Sequence, residues 1–163
     1  MHENAETIAA FYTAFQERDH AGMAVCYHPD IHFSDPVFTD LQGDEARAMW
    51  HMLCDQGKDL RVTFSDVTAD SDRGSAQWEA RYTFGPTGRF VKNVITASFV
   101  FADDKIVQHT DDFDLWRWMR MALGTTGTMI GWSPSAKRKV RDTGRRGLDR
   151  FIAEHPEYTS GEK

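Results

Sequence analysis

One acidic residue, Asp35, stands where a buried strand should carry another apolar side chain. In the segment DIHFSDPVF, every second residue from Ile31 shares one strand face, so the Asp35 carboxylate points the same way as Ile31 and Phe33. Pro36 favours an extended backbone at the residue before it. Burial raises the pKa of a carboxyl group and makes it a useful base near neutral pH. Asp35 is therefore a candidate base, although an aspartate at such a bend can instead accept backbone hydrogen bonds.

A second candidate lies in the segment QHTDDF, where His109, Asp111 and Phe113 share one strand face. Side chains two residues apart on a strand are about 7 Å apart, so His109 and Asp111 can share one ligand or water. They supply a proton donor and an acceptor with different intrinsic pKa values, which suits acid-base catalysis. The alternative is structural: Asp111 pairs with an arginine, and His109 makes a hydrogen bond within the core. The two interpretations are equally favoured by the sequence.

The predicted strands and helices near these acids carry many aromatic residues. A mostly apolar lining with a few polar groups is typical of small-molecule pockets. The predicted ligand-binding residues are Phe11, Phe15, Trp50, Trp78, Tyr82, Asn93, Phe99, Phe113 and Trp116. Aromatic stripes also occur in packed cores, but several ionisable groups on the same faces are costly unless they are paired or face a cavity. The sequence predicts a site for a small apolar or aromatic molecule.

Composition excludes several other classes of function. The chain has 163 residues, which fits one domain, and its net charge of -6 disfavours nucleic acid as a partner. It contains no apolar run long enough to span a membrane and no signal-peptide pattern, so we expect a cytoplasmic protein. The seven histidines and two cysteines show no metal-ligand spacing, so no metal site is predicted.

The periodicity of apolar residues predicts helices first and strands afterwards. Apolar positions predict a helix over residues 5–18, a short helix that Asp19 caps and Pro29 ends, and a third helix capped by Asp44. Strands are predicted at 31–35, 60–68, 75–84, 90–102 and 105–113. This order is typical of an α+β domain.

The end of the chain changes character after residue 113. LWRWMRMALG predicts a helix, residues 124–134 a glycine-rich loop, and residues 134–155 a basic helix. Such a charge run is usually a solvated helix face. We expect residues 119–163 to form a helical extension that packs on the domain or on a dimer partner.

Four segments carry a resemblance to a known family: FYTAFQERD (11–19), FSDPVF (33–38), GRFVKNVITASFVF (88–101) and KIVQHTDDFDLW (105–116). Their order and spacing resemble the nuclear transport factor 2-like superfamily, and within it the SnoaL-like polyketide cyclases and ketosteroid isomerases. The resemblance spans roughly residues 5–118, and it implies one domain over residues 1–118. It implies a cone-shaped roll in which a curved antiparallel sheet wraps around three N-terminal helices and encloses a cavity.

The resemblance also implies roles for individual residues. Asp35 stands at the position of the isomerase's general base. The hydrogen-bonding tyrosine and protonated aspartic acid of that isomerase are replaced here by Phe11 and Ala97. Steroid isomerisation by the family's mechanism is therefore disfavoured.

Three functions follow as hypotheses. The first is cofactor-independent acid-base catalysis (isomerisation, cyclisation, dehydration or epoxide hydrolysis), with Asp35 as base and His109 and Asp111 as acid and orienting group. The second is a carrier that binds an apolar molecule without reaction. The third is a protein-interaction module that docks through Trp116, Trp118, Met121, Met129 and Trp132. A homodimer is expected through the outer sheet face, where Glu79, Arg81 and Lys92 point away from the cavity.

Overall fold

The computed structural model describes residues 2–125 and 133–159. These residues form five helices and six strands, followed by a 3-10 turn at Pro156–Tyr158. The helices are α1 (Glu3–Gln16), α2 (His20–Val25), α3 (Asp44–Gln56), α4 (Leu115–Leu123) and α5 (Pro134–Glu154). The strands are β1 (Tyr27–Ser34), β2 (Leu41–Gln42), β3 (Arg61–Ala69), β4 (Arg73–Phe84), β5 (Arg89–Ala102) and β6 (Lys105–Asp112). The predicted α+β class is confirmed.

The six strands form one curved sheet in the order β2-β1-β6-β5-β4-β3. The long strands β3 to β6 form an antiparallel meander, whereas β1 lies parallel to β6. The expectation of a purely antiparallel sheet is therefore modified at one pair of strands. A parallel pair needs a long crossover, and here the chain between β1 and β6 supplies it with β2, α3 and strands β3 to β5.

Alternation along the strands sets the inner face of the sheet. On β5, buried and more exposed positions alternate over most of the strand, so Asn93, Ala97 and Phe99 point inward. Helix α1 lays its stripe of Ile8, Phe11, Tyr12 and Phe15 against this face, and all four side chains are buried. The core thus lies between the concave side of the sheet and helices α1 to α3.

Helix boundaries test the predicted caps. Asp19 caps α2 as expected, because its side chain accepts a hydrogen bond from the Gly22 amide. Asp44 was wrongly predicted as a cap: the capping position is Gly43, at a positive φ of 55°, and Asp44 begins the helix. Pro29 does not end α2 either, since that helix stops at Val25 and Pro29 lies within β1 beside an irregularity in the pairing with β6.

The C-terminal extension packs on the body of the same chain. Helix α4 follows β6 directly, capped by the side chain of Asp114. Helix α5 packs on α3, and Arg141 Nε on α5 donates a hydrogen bond to the carbonyl oxygen of Pro36 in the loop after β1. Leu148 on α5 is fully buried. The ring of Phe151 contacts that of His51 on α3. Most of the predicted loop at 124–134 falls outside the described residues. The domain boundary near residue 118 stays a prediction.

Among the residues that the structure describes, we find no helix of sufficient length and hydrophobicity to cross a membrane.

Candidate functional site

Register between β1 and β6 brings the two predicted acidic positions together. Phe33 pairs with His109, and Ser34 pairs with Thr110. Asp35 directly follows Ser34, and Asp111 directly follows Thr110, so the two acids come next along the paired strands. They are close enough for the charge of Asp111 to raise the pKa of Asp35. Both residues therefore lie at the same end of adjacent parallel strands, where side chains meet at one edge of the sheet.

The Asp35 side chain is half-buried and fixed by its own loop. Its Oδ1 atom accepts hydrogen bonds from the backbone amides of Val37 at 2.7 Å and Phe38 at 2.6 Å. Burial raises the pKa of Asp35 from 3.8 to about 7; the Asp111 charge adds to the rise, and the two amide bonds oppose it. Asp35 therefore combines a backbone-fixing role with a pKa suited to proton transfer at neutral pH.

Asp111 has different surroundings, because it accepts hydrogen bonds from two buried side chains. Its Oδ1 lies 2.9 Å from His109 Nε2 and 3.3 Å from Trp78 Nε1. On the other side of the imidazole, His109 Nδ1 lies 2.7 Å from the hydroxyl of Tyr27, which also accepts a bond from Trp50 Nε1 at 2.8 Å. The network runs from Trp50 through Tyr27 and His109 to Asp111.

One placement of the protons gives each hydrogen bond in this network a donor and an acceptor. Trp50 occupies the Tyr27 oxygen, so the Tyr27 proton is available for Nδ1 of His109. Nε2–H of His109 then donates to the Asp111 carboxylate. His109 is fully buried, and its two ring nitrogens hydrogen-bond Tyr27 and Asp111, so the imidazole holds the Asp111 side chain in place. Asp111 pairs with histidine and tryptophan here rather than with the arginine considered above.

Aromatic rings fill the interior around His109. Its ring centroid lies 4.5 Å from that of Phe99 and 5.0 Å from that of Phe33. Phe11 stacks on Tyr27 and meets Trp50 edge to face at 5.4 Å, and Phe15 meets Trp50 in the same way at 5.1 Å. Of the predicted ligand-binding residues, Phe11, Phe15, Trp50, Trp78 and Phe99 therefore lie within this packed core. Any ligand contact they make requires the packing to open.

The other predicted ligand-binding residues lie towards the Asp35 end of the sheet. Tyr82, Phe113 and Trp116 are half-buried, and Asn93 is 9% exposed. The Tyr82 hydroxyl accepts a hydrogen bond from Trp118 Nε1 on α4 at 2.7 Å. Burial is the largest cause of a raised Tyr82 pKa, and the charge of Asp35 contributes to it. This end of the sheet combines polar groups with accessible rings.

Two depressions, of about 330 and 350 Å³, lie on the outer surface instead. Their lining includes His32, Ser34 and Asp40 in one and Pro29, Asp30 and Gln42 in the other. Neither depression includes Asp35 or Asp111. They contain outward-facing residues of β1, β2 and β6 and are separate from the predicted site.

Sequence reasoning missed two residues of this arrangement. Tyr27 shares its strand face with Ile31 and Phe33, so strand parity would have placed it inside had the strand been extended to residue 27. Trp118 was assigned to a docking surface, whereas its indole bonds to Tyr82 within the chain. Trp116 and Met121 are also half-buried, and Met129 and Trp132 fall outside the described residues.

Comparison with known proteins decides the family. The model of the SnoaL-like domain matches residues 8–109, which is well over half of the chain. The protein belongs to the SnoaL-like domain family. The matched segment of this SnoaL-like protein runs from α1 to His109 and includes Asp35. No curated protein matches the chain.

Solved structures share the fold at low sequence identity. An NTF2-like protein of unknown function from Burkholderia pseudomallei has a TM-score of 0.64 and 19% identity, covering 74% of this chain and 98% of that one. A protein named as a SnoaL-like polyketide cyclase from Jannaschia has a TM-score of 0.66 and 18% identity, with 76% and 92% covered. An LEH-like epoxide hydrolase from M. tuberculosis has a TM-score of 0.61 and 18% identity, with 80% and 97% covered. At these identities the likeness establishes the fold alone.

Proposed function

We propose that this SnoaL-like protein is a cofactor-independent acid-base enzyme acting on a small apolar or aromatic carbonyl compound. Asp35 is the base that removes a proton from carbon next to the carbonyl group. The electron pair of that C–H bond moves towards the carbonyl oxygen to give an enolate, and protonated Asp35 returns the proton at the same or another carbon. Isomerisation, cyclisation and dehydration all share this first step.

The observation that carries the proposal is the pair of unlike carboxylates at the ends of β1 and β6. The Asp111 carboxylate accepts hydrogen bonds from two buried donors, His109 Nε2 and Trp78 Nε1. Asp35 has a pKa raised to about 7 by burial and by the Asp111 charge. A carboxyl group whose pKa is raised towards neutrality by burial and by a neighbouring charge is a frequent feature of acid-base sites in enzymes.

The names of the structural neighbours include a cyclase and an epoxide hydrolase, and the local charges favour the cyclase type of reaction. Epoxide hydrolysis by the superfamily's Asp–Arg–Asp set requires an arginine within the site. Arg81 on β4, expected from the sequence to point away from the cavity, is exposed and bonds Glu79 on the outer face. In the described part of the chain, no arginine side chain bonds to Asp35 or Asp111.

Exchange of carbon-bound hydrogen tests the proposal without knowledge of the natural substrate. The probe is 2-tetralone, an aromatic ketone with acidic α-hydrogens, incubated with the protein in D₂O and followed by NMR. Asp35→Asn should lower the protein-catalysed exchange rate by about 100-fold or more, since asparagine cannot accept the proton. The wild-type rate should rise with pH up to about 7, where Asp35 becomes ionised.

Asp112→Asn is the matched control. Asp112 lies next to Asp111 on β6 but is exposed on the opposite face, so its replacement should leave the exchange rate unchanged. Equal exchange by the wild-type and Asp35→Asn proteins would remove Asp35 as the base. Binding of 2-tetralone without any catalysed exchange would instead support the carrier function.

The carrier function has one observation in its favour. Oδ1 of Asp35 accepts two short backbone hydrogen bonds, which is enough to explain an aspartate before Pro36 on structural grounds. For the protein-interaction function, the hydrogen bond between Trp118 and Tyr82 reduces the surface available for docking.

A homodimer through the outer sheet face is part of the proposal. Phe90 is 63% exposed and Val94 is 51% exposed, both on β5. Beside them Glu79 pairs with Arg81 and Lys92. An apolar centre with paired charges around it suits an isologous contact. Val94→Glu should convert a dimer into a monomer in light scattering, and an unchanged mass would contradict this part.

A further inference from the structure

The carboxylate of Asp35 is held by the short turn at residues 35–38, called here the Asp35 turn. The Asp35 amide donates a hydrogen bond to the Phe38 carbonyl oxygen at 2.8 Å. The Asp35 Oδ1 atom accepts hydrogen bonds from the amides of Val37 at 2.7 Å and Phe38 at 2.6 Å. Backbone and carboxylate therefore form one unit, and a shift of the turn moves the carboxylate with it.

Helix α5 contacts the Asp35 turn at two places. Arg141 Nε donates a hydrogen bond to the Pro36 carbonyl oxygen at 2.9 Å. One helical turn further along, the backbone at Gly144 packs directly against two side chains of the turn. A Cβ atom at Gly144 would lie 2.9 Å from Val37 Cγ1 and 3.5 Å from Phe38 Cε1. The absence of a side chain at this position is therefore what lets the helix approach the turn so closely.

The second half of α5 is anchored elsewhere in the molecule. Leu148 and Phe151 are buried and belong to the hydrophobic core. Arg145 adds an ion pair with Glu45 near the start of α3. Among residues 134–143, all of which the structure describes, none is buried. The helix is therefore fixed on α3 by its second half, and its middle contacts the Asp35 turn.

The way in which the turn holds Asp35 leaves one carboxylate oxygen for chemistry. In the described part of the chain, Oδ2 of Asp35 accepts no hydrogen bond, whereas Oδ1 accepts two. A base that takes a proton from carbon needs an available oxygen at a fixed place, since a misplacement of about 1 Å can lower a rate by about 100-fold. The position of Oδ2 follows from that of the turn, and the turn packs against α5.

We propose that α5 positions Asp35 for proton transfer, with Arg141 and Gly144 as positioning residues that act through the Asp35 turn. Helix α5 lies outside residues 8–109, the segment that matches the SnoaL-like domain, so this support is an addition to the matched segment. The catalytic part of the inference rests on the proposed function. The contact of α5 with the turn does not depend on it and is tested separately.

The amide protons of Val37 and Phe38 report this contact directly by NMR, because both donate to Oδ1 of Asp35. In Arg141→Ala protein their exchange with D₂O should be about five- to tenfold faster, the effect expected when one hydrogen bond is lost. Arg141→Lys should keep most of the protection, since an ammonium group can donate to the same carbonyl oxygen. Arg138→Ala is the matched control: this residue is exposed on the same helix, and its replacement should leave the exchange unchanged.

The chemical shifts of the same amide protons give a second readout, which a general loss of stability does not imitate. An ionised acceptor strengthens a hydrogen bond, so both shifts should follow the ionisation of Asp35 at about pH 7 in wild-type protein. In Arg141→Ala the amplitude of this change should fall, because the amides spend less time bonded to Oδ1. In Arg138→Ala the amplitude should be retained.

Gly144→Ala and Gly147→Ala form a matched pair, since each adds one methyl group to the same helix. The added Cβ atom meets Val37 at Gly144, whereas nothing lies within 4 Å of it at Gly147. Gly144→Ala should therefore change the amide shifts of Val37 and Phe38. Gly147→Ala should leave these shifts as they are in wild-type protein.

Exchange of the 2-tetralone α-hydrogens measures the consequence for catalysis. Arg141→Ala should lower the maximal rate by about three- to tenfold, because the base is displaced. The 2-tetralone concentration that gives half the maximal rate should change by less than about twofold, since the apolar contacts of the ligand remain. Arg138→Ala should match the wild-type protein in both quantities.

The outcomes separate the two proposals. Unchanged exchange and shifts of the Val37 and Phe38 amides in both Arg141→Ala and Gly144→Ala would overturn the role of α5 and leave Asp35 as base intact. Faster amide exchange with an unchanged rate on 2-tetralone would overturn the positioning role. A wild-type protein that exchanges no 2-tetralone hydrogen would remove the proposed function and the catalytic part of this inference, while the amide measurements alone would decide the contact of α5 with the turn.

Discussion

Asp35→Asn should stabilise the folded protein at alkaline pH and have little effect at about pH 4. The pKa of Asp35 is about 7 in the folded protein against 3.8 for the ordinary carboxyl. Between these values the folded state holds a proton that the unfolded chain has released. Stability from this group is therefore present below about pH 4 and is lost as the pH rises through 7. Asparagine does not ionise, so it avoids the loss.

The magnitude follows from the difference in pKa. A difference of about 3 units corresponds to about 4 kcal/mol in the free energy of unfolding when the group is fully titrated. Between about pH 5 and about pH 8.5, linkage gives a change of about 2.5 kcal/mol. Asp35 is half-buried, so solvent screening reduces this figure, and we expect about 2 kcal/mol.

The assay is urea denaturation of wild-type and Asp35→Asn protein at a series of pH values. The difference between their free energies of unfolding isolates Asp35, because the other titrating groups cancel. Asparagine keeps an oxygen acceptor for the amides of Val37 and Phe38, so the loop should stay in place. Asp112→Asn, on the exposed face of β6, should show no such dependence on pH. A pH-independent difference for Asp35→Asn would refute the reasoning that Asp35 is buried next to a second charge.

Three further predictions concern the core and the C-terminal helix. Burial is the largest cause that lowers the pKa of His51. The packing of α5 on His51 should therefore weaken as the pH falls below about 6.5. Hydrogen exchange of the α5 amides should become faster in wild-type protein and much less so in His51→Phe. A Cβ atom at Gly144 would lie 2.9 Å from Val37, whereas no atom lies within 4 Å of a Cβ atom at Gly147. Gly147→Ala should therefore stabilise α5 by about 1 kcal/mol, and Gly144→Ala by clearly less, as measured by thermal unfolding. Tyr27→Phe leaves His109 Nδ1 and Trp50 Nε1 without their hydrogen-bond partner. It should lower the free energy of unfolding, measured by urea denaturation, by about 2–4 kcal/mol. A loss below about 0.5 kcal/mol would contradict the network.

Periodicity predicted much of the fold because the spacing of apolar residues shows which positions of a helix or strand are buried. The stripe from Ile8 to Phe15 gave α1, and alternation gave the four long strands within one or two residues at most ends. The capping residues of the helices were predicted less reliably. Asp19 and Asp44 look alike in sequence, yet only Asp19 is a cap, because Gly43 adopts the positive φ from which α3 begins.

The candidate site was only partly predictable, for a physical reason. Strand parity assigns Asp35 and His109 to inner faces, but it does not say which residues they meet. The hydrogen bonds of His109 to Tyr27 and Asp111 depend on pairing between distant strands. Phe11 and Trp50 show the same pattern whether they line a pocket or fill a core, and here their rings are in contact. The catalytic and ligand-binding roles remain predictions.

The parallel pairing of β1 with β6 makes the two carboxylates neighbours although more than seventy residues separate them in the chain. Contacts between such distant segments carry a large loop-closure cost and tend to form late in folding. A partly folded molecule whose hairpins have formed, but whose β1 has not yet paired with β6, would have an Asp35 with an ordinary pKa. The titration of a single carboxyl group therefore reports whether the whole sheet has closed.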